Sequence, residues 1–140
     1  MSIYKDIRAG LESHLAGASG LPAIAWENVD YNPSTDTPFI KFQFLPTLRR
    51  TTLIGSPVSQ RYQGIARFLL HYPENQGPGA TQTVADTLIT RFEVNSDISY
   101  TNTDLETIQI TVEYAQQESS YTIEPWYVTP ITVGWYIYAS

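Results

Sequence analysis

Apolar residues recur at every fourth position over the first sixteen. Ile3, Ile7, Leu11 and Leu15 share one face if the segment is helical, and Ser2 stands where an N-cap is needed. Residues 2–16 therefore predict an amphipathic helix, stopped by the glycines and proline of GASGLP at 17–22. A helix with one apolar stripe must bury it, most simply against a sheet. The period then shortens to two. FIKFQFL (39–45) puts Ile40, Phe42 and Phe44 on one side and Lys41 and Gln43 on the other, a half-buried strand. RYQGIARFLLHY (61–72) aligns Tyr62, Ala66, Phe68, Leu70 and Tyr72, with Gly64 among them. Ile65 and Leu69 predict partial burial of its second face. Within SYTNTDLETIQITVEYAQ (99–116), Ile108, Ile110, Val112 and Tyr114 face one way and Gln109, Thr111 and Glu113 the other. The last strand, in WYVTPITVGWYIYAS (126–140), aligns Ile131, Val133, Trp135 and Ile137. Its Pro130 has no N–H for a ladder and predicts an edge position or a bulge.

The segments between these follow by contrast. IAWENV (24–29) is a short strand candidate, and YNPSTDTP (31–38) is a loop. PTLRRTTLIGSPVSQ (46–60) is polar, has no clean apolar face and suits an extended arm or hairpin. YPENQGPGATQTVADTLITRF (72–92) leaves a strand, turns, and enters a helix. That helix is expected to bury Val84, Ala85, Leu88 and Phe92 and leave Gln82, Asp86, Thr90 and Arg91 in water. No repeat or linker divides the chain. The pattern predicts one α+β domain over residues 1–140: a mostly antiparallel β-sheet, two α-helices packed on one face, and an extended β-hairpin arm at about 46–60.

Composition supports a packed domain, with 42% hydrophobic and 16% charged residues in 140. The absence of cysteine excludes disulfides, thiolate zinc sites and a cysteine nucleophile. The first residues lack a signal-peptide core and no stretch is apolar enough to span a membrane, so a soluble chain kept in the cytoplasm is expected. Charge adds more. The net charge of −6 argues against nucleic acid as an adhesive partner. All eight Lys and Arg precede residue 92, against seven carboxylates there, a sum of +1. From Phe92 to Ser140 seven carboxylates stand without any Lys or Arg, a sum of −7. Such a segment is a solvated acidic face, or a surface that avoids a polyanion or meets a basic partner.

Candidate chemistry is sparse. The turn Gly77-Pro78-Gly79 opens a helix as phosphate-binding loops do, but no Lys or Arg occurs from Pro73 to Thr90, and Pro78 offers no N–H. A third glycine at dinucleotide spacing is also missing, so the glycines are read as shaping a turn. The two histidines, His14 and His71, have no metal-ligand spacing. Ser13 and His14 point to different sides of a helix and make no catalytic pair. The acid pairs Glu27 with Asp30, and Asp104 with Glu106, are read as solvated. No enzymatic activity, cofactor or metal is expected.

Several features in order resemble the small tail terminator (tail-completion, minor tail) proteins of tailed bacteriophages. These are the opening helix, then IAWENVDYNPSTDTPFIKFQFLP, then a polar arm ending in Gly55, then Tyr62, Gly64 and Ile65, and finally Gly77, Gly79, Ala85, Asp86, Leu88 and Phe92. The resemblance covers about residues 1–115. It implies a structural virion protein, made in the host bacterial cytoplasm, that forms a homo-oligomeric ring, commonly a hexamer. Such a ring caps the head-proximal end of the tail tube, stops polymerisation and joins the head or neck protein, while DNA passes through without specific binding. On that reading, Arg49, Arg50, Thr51, Thr52, Leu53 and Arg61 are candidates for the tube or inter-subunit interface. Asp104, Glu106, Glu113, Glu118 and Glu124 are candidates for an acidic lumen or interface. Two alternatives stand beside it: another neck or head-completion connector, and a binding module seated on the tyrosines at 114–138.

Overall fold

The computed structural model describes residues 3–34, 36–53 and 59–139, with backbone alone at 50–53 and 59. Ser2, the expected cap, and Gly55 lie outside the described residues. The every-fourth-residue stripe folds as helix α1, Ile3–Ala16, with Ile7, Leu11 and Leu15 fully buried. Strand β1, Ala23–Ala25, follows and is shorter than expected. Strands β2 (Phe39–Leu53) and β3 (Ser59–Pro73) form a long hairpin, and helix α2 runs Gly79–Arg91. Strands β4 (Asp97–Thr101), β5 (Thr107–Gln117), β6 (Tyr121–Ile123) and β7 (Trp126–Ala139) complete the chain.

The strands make one sheet in the order β1-β2-β3-β7-β5-β4, with β6 beside β7. All pairs are antiparallel except β1 with β2, so the sheet is mixed. The α+β expectation holds, with two helices on one face. Ile7, Leu11 and Leu15 of α1, and Val84, Leu88 and Phe92 from α2 and its end, join Ile40, Phe42, Phe68, Leu70, Ile110, Val133 and Trp135 in a single core. Burying that many large side chains, each worth about 1.5–3 kcal/mol, is what fixes the register of the long strands. Among the described residues the opposite face of the sheet, the open face, carries no helix.

Five expectations need correction. β4 was not anticipated; its five residues are too short and too polar to show a period. Tyr114 does not share the face of Ile108, Ile110 and Val112. A bulge between Val112 and Tyr114 reverses the alternation, Ala115 packs toward the core instead, and the Tyr114 ring lies against Gly134 on the open face. Arg91 is half-buried rather than wet: its Nε donates to His14 O at 2.9 Å, while His14 Nε2 donates to Arg91 O at 2.8 Å, clamping the helix ends together. Glu27 is likewise not a free acid. It accepts from Arg8 Nη1 and from the Phe44 backbone N–H, both at 2.7 Å, and so satisfies the edge of β2 just past the point where β1 stops.

Pro130 is the fifth. It lies on β7, which is flanked by β3 on one side and by β5 and β6 on the other, so it is not on an edge strand. Its carbonyl accepts from Glu118 N at 2.9 Å, which turns its nitrogen to the same side. There the ladder passes from β5, ending at Gln117↔Ile131, to β6, beginning at Tyr121↔Val128. The proline occupies the gap between two successive partners, where no strand waits for an N–H.

Candidate assembly interface

The hairpin arm expected at 46–60 is present as the outer part of β2 and β3, with residues 54–58 outside the described residues. A bulge between Pro46 and Leu48 marks its root, and Leu45 through Arg49 are exposed. The arm is not a free ribbon, because β7 flanks β3 as far as Gln60↔Ala139. Its open edge is the outer edge of β2.

The interface candidates separate within this arm. Arg49 pairs with Tyr62 and holds its guanidinium 5.9 Å from that ring, on the helix side of the sheet, where Tyr4 of α1 packs edge-on against Tyr62. Arg50, Thr51, Thr52 and Leu53 are placed by backbone alone; Arg50 stands opposite Arg61 in the ladder. Arg61 is on the open face. Its guanidinium stacks 4.2 Å from the Tyr136 ring centroid, and its Nη1 donates to Tyr138 Oη at 3.0 Å. Its Nη2 lies 3.6 Å from a Glu113 carboxylate oxygen. The structure thus joins Arg61 and Glu113, which the sequence reading assigned to two different surfaces.

The other acids fall in three places. Glu118 is on the open face, where its carboxylate accepts from Thr132 Oγ1. Asp104 and Glu106 lie in the β4–β5 turn, which Asn102 organises: its Oδ1 accepts from both backbone N–H groups, and its Nδ2 donates to Glu106 and to buried Asp6 of α1. Glu124 sits at the β6–β7 turn, at the other end of the sheet. Sequence reasoning included Tyr136 and Tyr138 only in the binding-module alternative and did not join them to Arg61. Their parity, opposite to Trp135 and Ile137 on the same strand, is the signal that places them beside Arg61.

Charge segregation along the chain becomes segregation in space. Every strand that precedes residue 92 lies in the β1-β2-β3 half of the sheet, and every later strand in the β7-β5-β4 half. One flank therefore bears Lys41, Arg49 and Arg50, and the other bears Asp97, Asp104 and Glu106.

Both histidines are half-buried, and burial pushes each below its usual value, His14 against Arg91 and His71 near Lys41. Hydrogen bonds to the backbone oxygens of Arg91 and Leu69 oppose that shift without cancelling it. With the folded-state values depressed, the unfolded chain binds more protons, so stability is full above pH 6.5 or so and falls as the histidines are forced to charge. Thermal melts are expected to show a Tm decline as pH falls below about 6.5 that is shallower in His14→Gln. An unchanged slope in that variant contradicts the assignment.

These features define a class: a two-layer α+β domain with helices on one face, an open sheet face on the other, and flanks of opposite charge. Among the described residues no group of His, Asp and Glu suits a metal ion, and no helix is long and apolar enough to cross a membrane. The family model described as phage tail terminator protein matches residues 6–135, and the chain belongs to that family. It is a structural component of a phage tail, and hence of the virion, that assembles with other tail components. No significant match is found among curated proteins. One solved structure, which carries no functional name, is similar over 96% of this chain and 94% of its own, with TM-score 0.70 and 20% identity, and shares the fold.

Proposed function

We propose that the chain forms a ring, six-fold in symmetry, on the head-proximal end of the tail tube, where it stops tube polymerisation and presents the surface that joins the head. The observation that carries this reading is the split of the sheet into a basic and an acidic half, in a chain of the tail terminator family. A ring of identical copies needs two different, complementary patches on each subunit, one on either side. The two flanks meet that need. Arg49, Arg50, Thr51, Thr52 and Leu53 serve the inter-subunit or tube contact, with Arg61 supporting the open face behind them. With that face turned inward, Glu113 and Glu118 border the hole, and Asp104, Glu106 and Glu124 stand toward its rims. Arg61 is paired there with Glu113, which lowers the free positive charge that passing DNA meets at that point of the face.

Tails assembled without this protein are expected to be headless and irregular in length by electron microscopy. The double reversal Arg49→Glu with Arg50→Glu is expected to give the same phenotype, since it places acid against acid at the contact. Tails of fixed length with heads attached, in the complete absence of the protein, overturn the reading.

A further inference from the structure

The sheet ends in β4 on one flank, and on the other, beyond β1, in the outer part of β2. Tracing the ladder across the sheet, Asp97 pairs with Thr111, Thr111 with Tyr136, Tyr136 with Gln63, and Gln63 with Leu48. The free edge of β4 and the free edge of the outer part of β2 thus lie at the same height on opposite flanks. Successive antiparallel steps also leave β2 and β4 running in the same direction.

The hydrogen-bonding groups match this geometry. Asn102 N donates to Glu106 O, and Val112 N donates to Ser96 O, so even-numbered residues of β4 face β5. Asp97, Ser99 and Thr101 consequently aim their N–H and C=O groups outward. On β2, Phe44 N points outward to Glu27, Pro46 offers no N–H, and the bulge then shifts the alternation. Past the bulge Arg49 and Thr51 are the outward residues. In a parallel ladder an outward residue on one strand bonds the residues flanking its opposite number. Ser99 lies level with Arg50, two steps beyond Asp97 and Leu48, so its N–H and C=O meet the outward groups of Arg49 and Thr51. Among the described residues no segment covers either edge.

We propose that β4 of one copy pairs in parallel with residues 48–51 of β2 in the next, closing the sheets of the ring into one continuous barrel. The occupant of each edge is a second copy of this chain, chosen by charge: Asp97 and the Asp104–Glu106 turn approach Arg49 and Arg50. Arginines on an open edge also discourage indiscriminate pairing, so an acidic partner edge is selected over others. At this height each copy contributes five strands, β2, β3, β7, β5 and β4. At about 4.8 Å per strand, six copies give a circumference of about 140 Å and a backbone-to-backbone diameter of about 45 Å. That hole admits duplex DNA. The six-fold size rests on the function proposed above; the edge contact does not.

The chain has no cysteine, which makes the test clean. Leu48→Cys combined with Asp97→Cys puts the two thiols on directly opposed residues, whose Cα atoms would lie about 4.8 Å apart, within disulfide reach. Oxidation of assembled caps is expected to give a reducible ladder ending at one closed species, which neither single variant gives. Ser99→Pro removes an outward N–H while leaving every β4–β5 bond, and is expected to melt near wild type yet form no ring. Caps that assemble without crosslinks in the double variant, or a Ser99→Pro protein that assembles normally, overturn the edge contact. Crosslinked oligomers, together with normal headed tails in the protein's absence, uphold the contact and refute the cap.

Discussion

Gly64→Ala is expected to destabilise the fold by about 3 kcal/mol, at the upper end of overpacking costs, and to lower Tm by roughly 10 °C for a chain of this size. The backbone dihedrals do not demand glycine here; the space does. A Cβ at residue 64 would stand 2.5 Å from Leu45 O, 2.7 Å from Trp135 Cζ2 and 2.8 Å from Pro46 Cα. Two of those neighbours are backbone and cannot rotate away. The third belongs to the largest buried side chain. Relief requires β2 to move off β3 at the bulge, which breaks ladder bonds on both sides of Pro46. Gly79→Ala is the matching control. Nothing lies within 4 Å of its Cβ position, and alanine at the start of α2 is neutral or favourable by up to about 1 kcal/mol. A Gly64→Ala protein melting within a degree or two of wild type would show that the strands yield more easily than this contact implies.

The same comparison shows what the sequence made legible. α1, α2 and the long strands were readable because each has one buried face, so its apolar period is imposed by the core. Gly64 was singled out within its strand, though its reason, a backbone passing at 2.5 Å, belongs to β2 and is invisible in β3 alone. β4 was missed because Ile98 is its one fully inward side chain, too little to make a period. Tyr114 was misplaced because a bulge is a relation between two strands: Glu113 looks like an ordinary alternating residue until Gly134 accepts the Tyr114 ring. Pro130 was assigned to an edge or a bulge by a sound rule whose condition, no partner for the missing N–H, is met by the gap between β5 and β6. Glu27 was read as solvated because Arg8 and Phe44 are distant in sequence. The interface candidates on Arg49 and Arg61 were read as one basic surface, yet Arg49 shares the helix side with Tyr62 while Arg61 is enclosed by Tyr136, Tyr138 and Glu113 on the other. Strand parity past the Pro46 bulge decides that split, and the bulge is not visible in the alternation of FIKFQFL.

Trp135 supports the other side of the joint that Gly64 occupies, and its substitution is expected to have the larger effect. Its ring is fully buried and stacks on Phe44 at 5.5 Å with planes 5° apart, between the Gly64 backbone and Val112 of β5. Trp135→Ala removes that plate and leaves a cavity lined by β strands that cannot collapse without breaking register, an expected loss of about 3–5 kcal/mol. Trp135→Phe separates volume from polarity. Among the described residues Trp135 Nε1 is buried without a hydrogen-bond partner, and an unpaired buried donor costs about 1–3 kcal/mol. Phenylalanine keeps most of the stack and removes that penalty, so it is expected to fall within about 1 kcal/mol of wild type by the balance of the two effects. Denaturant titration of both variants measures the difference; equal losses would mean that Nε1 is not a net cost. The consequence reaches the assembly edge. Phe44 and Gly64 are the residues at which β2 enters its bulge, so the stack sets where Arg49 and Thr51 present their outward N–H groups. At a temperature where Trp135→Ala is still folded, amides of Leu45 through Arg49 are expected to exchange faster than in wild type while those of α1 do not. On the function proposed above, such a protein caps tails poorly although every residue of its proposed contact remains.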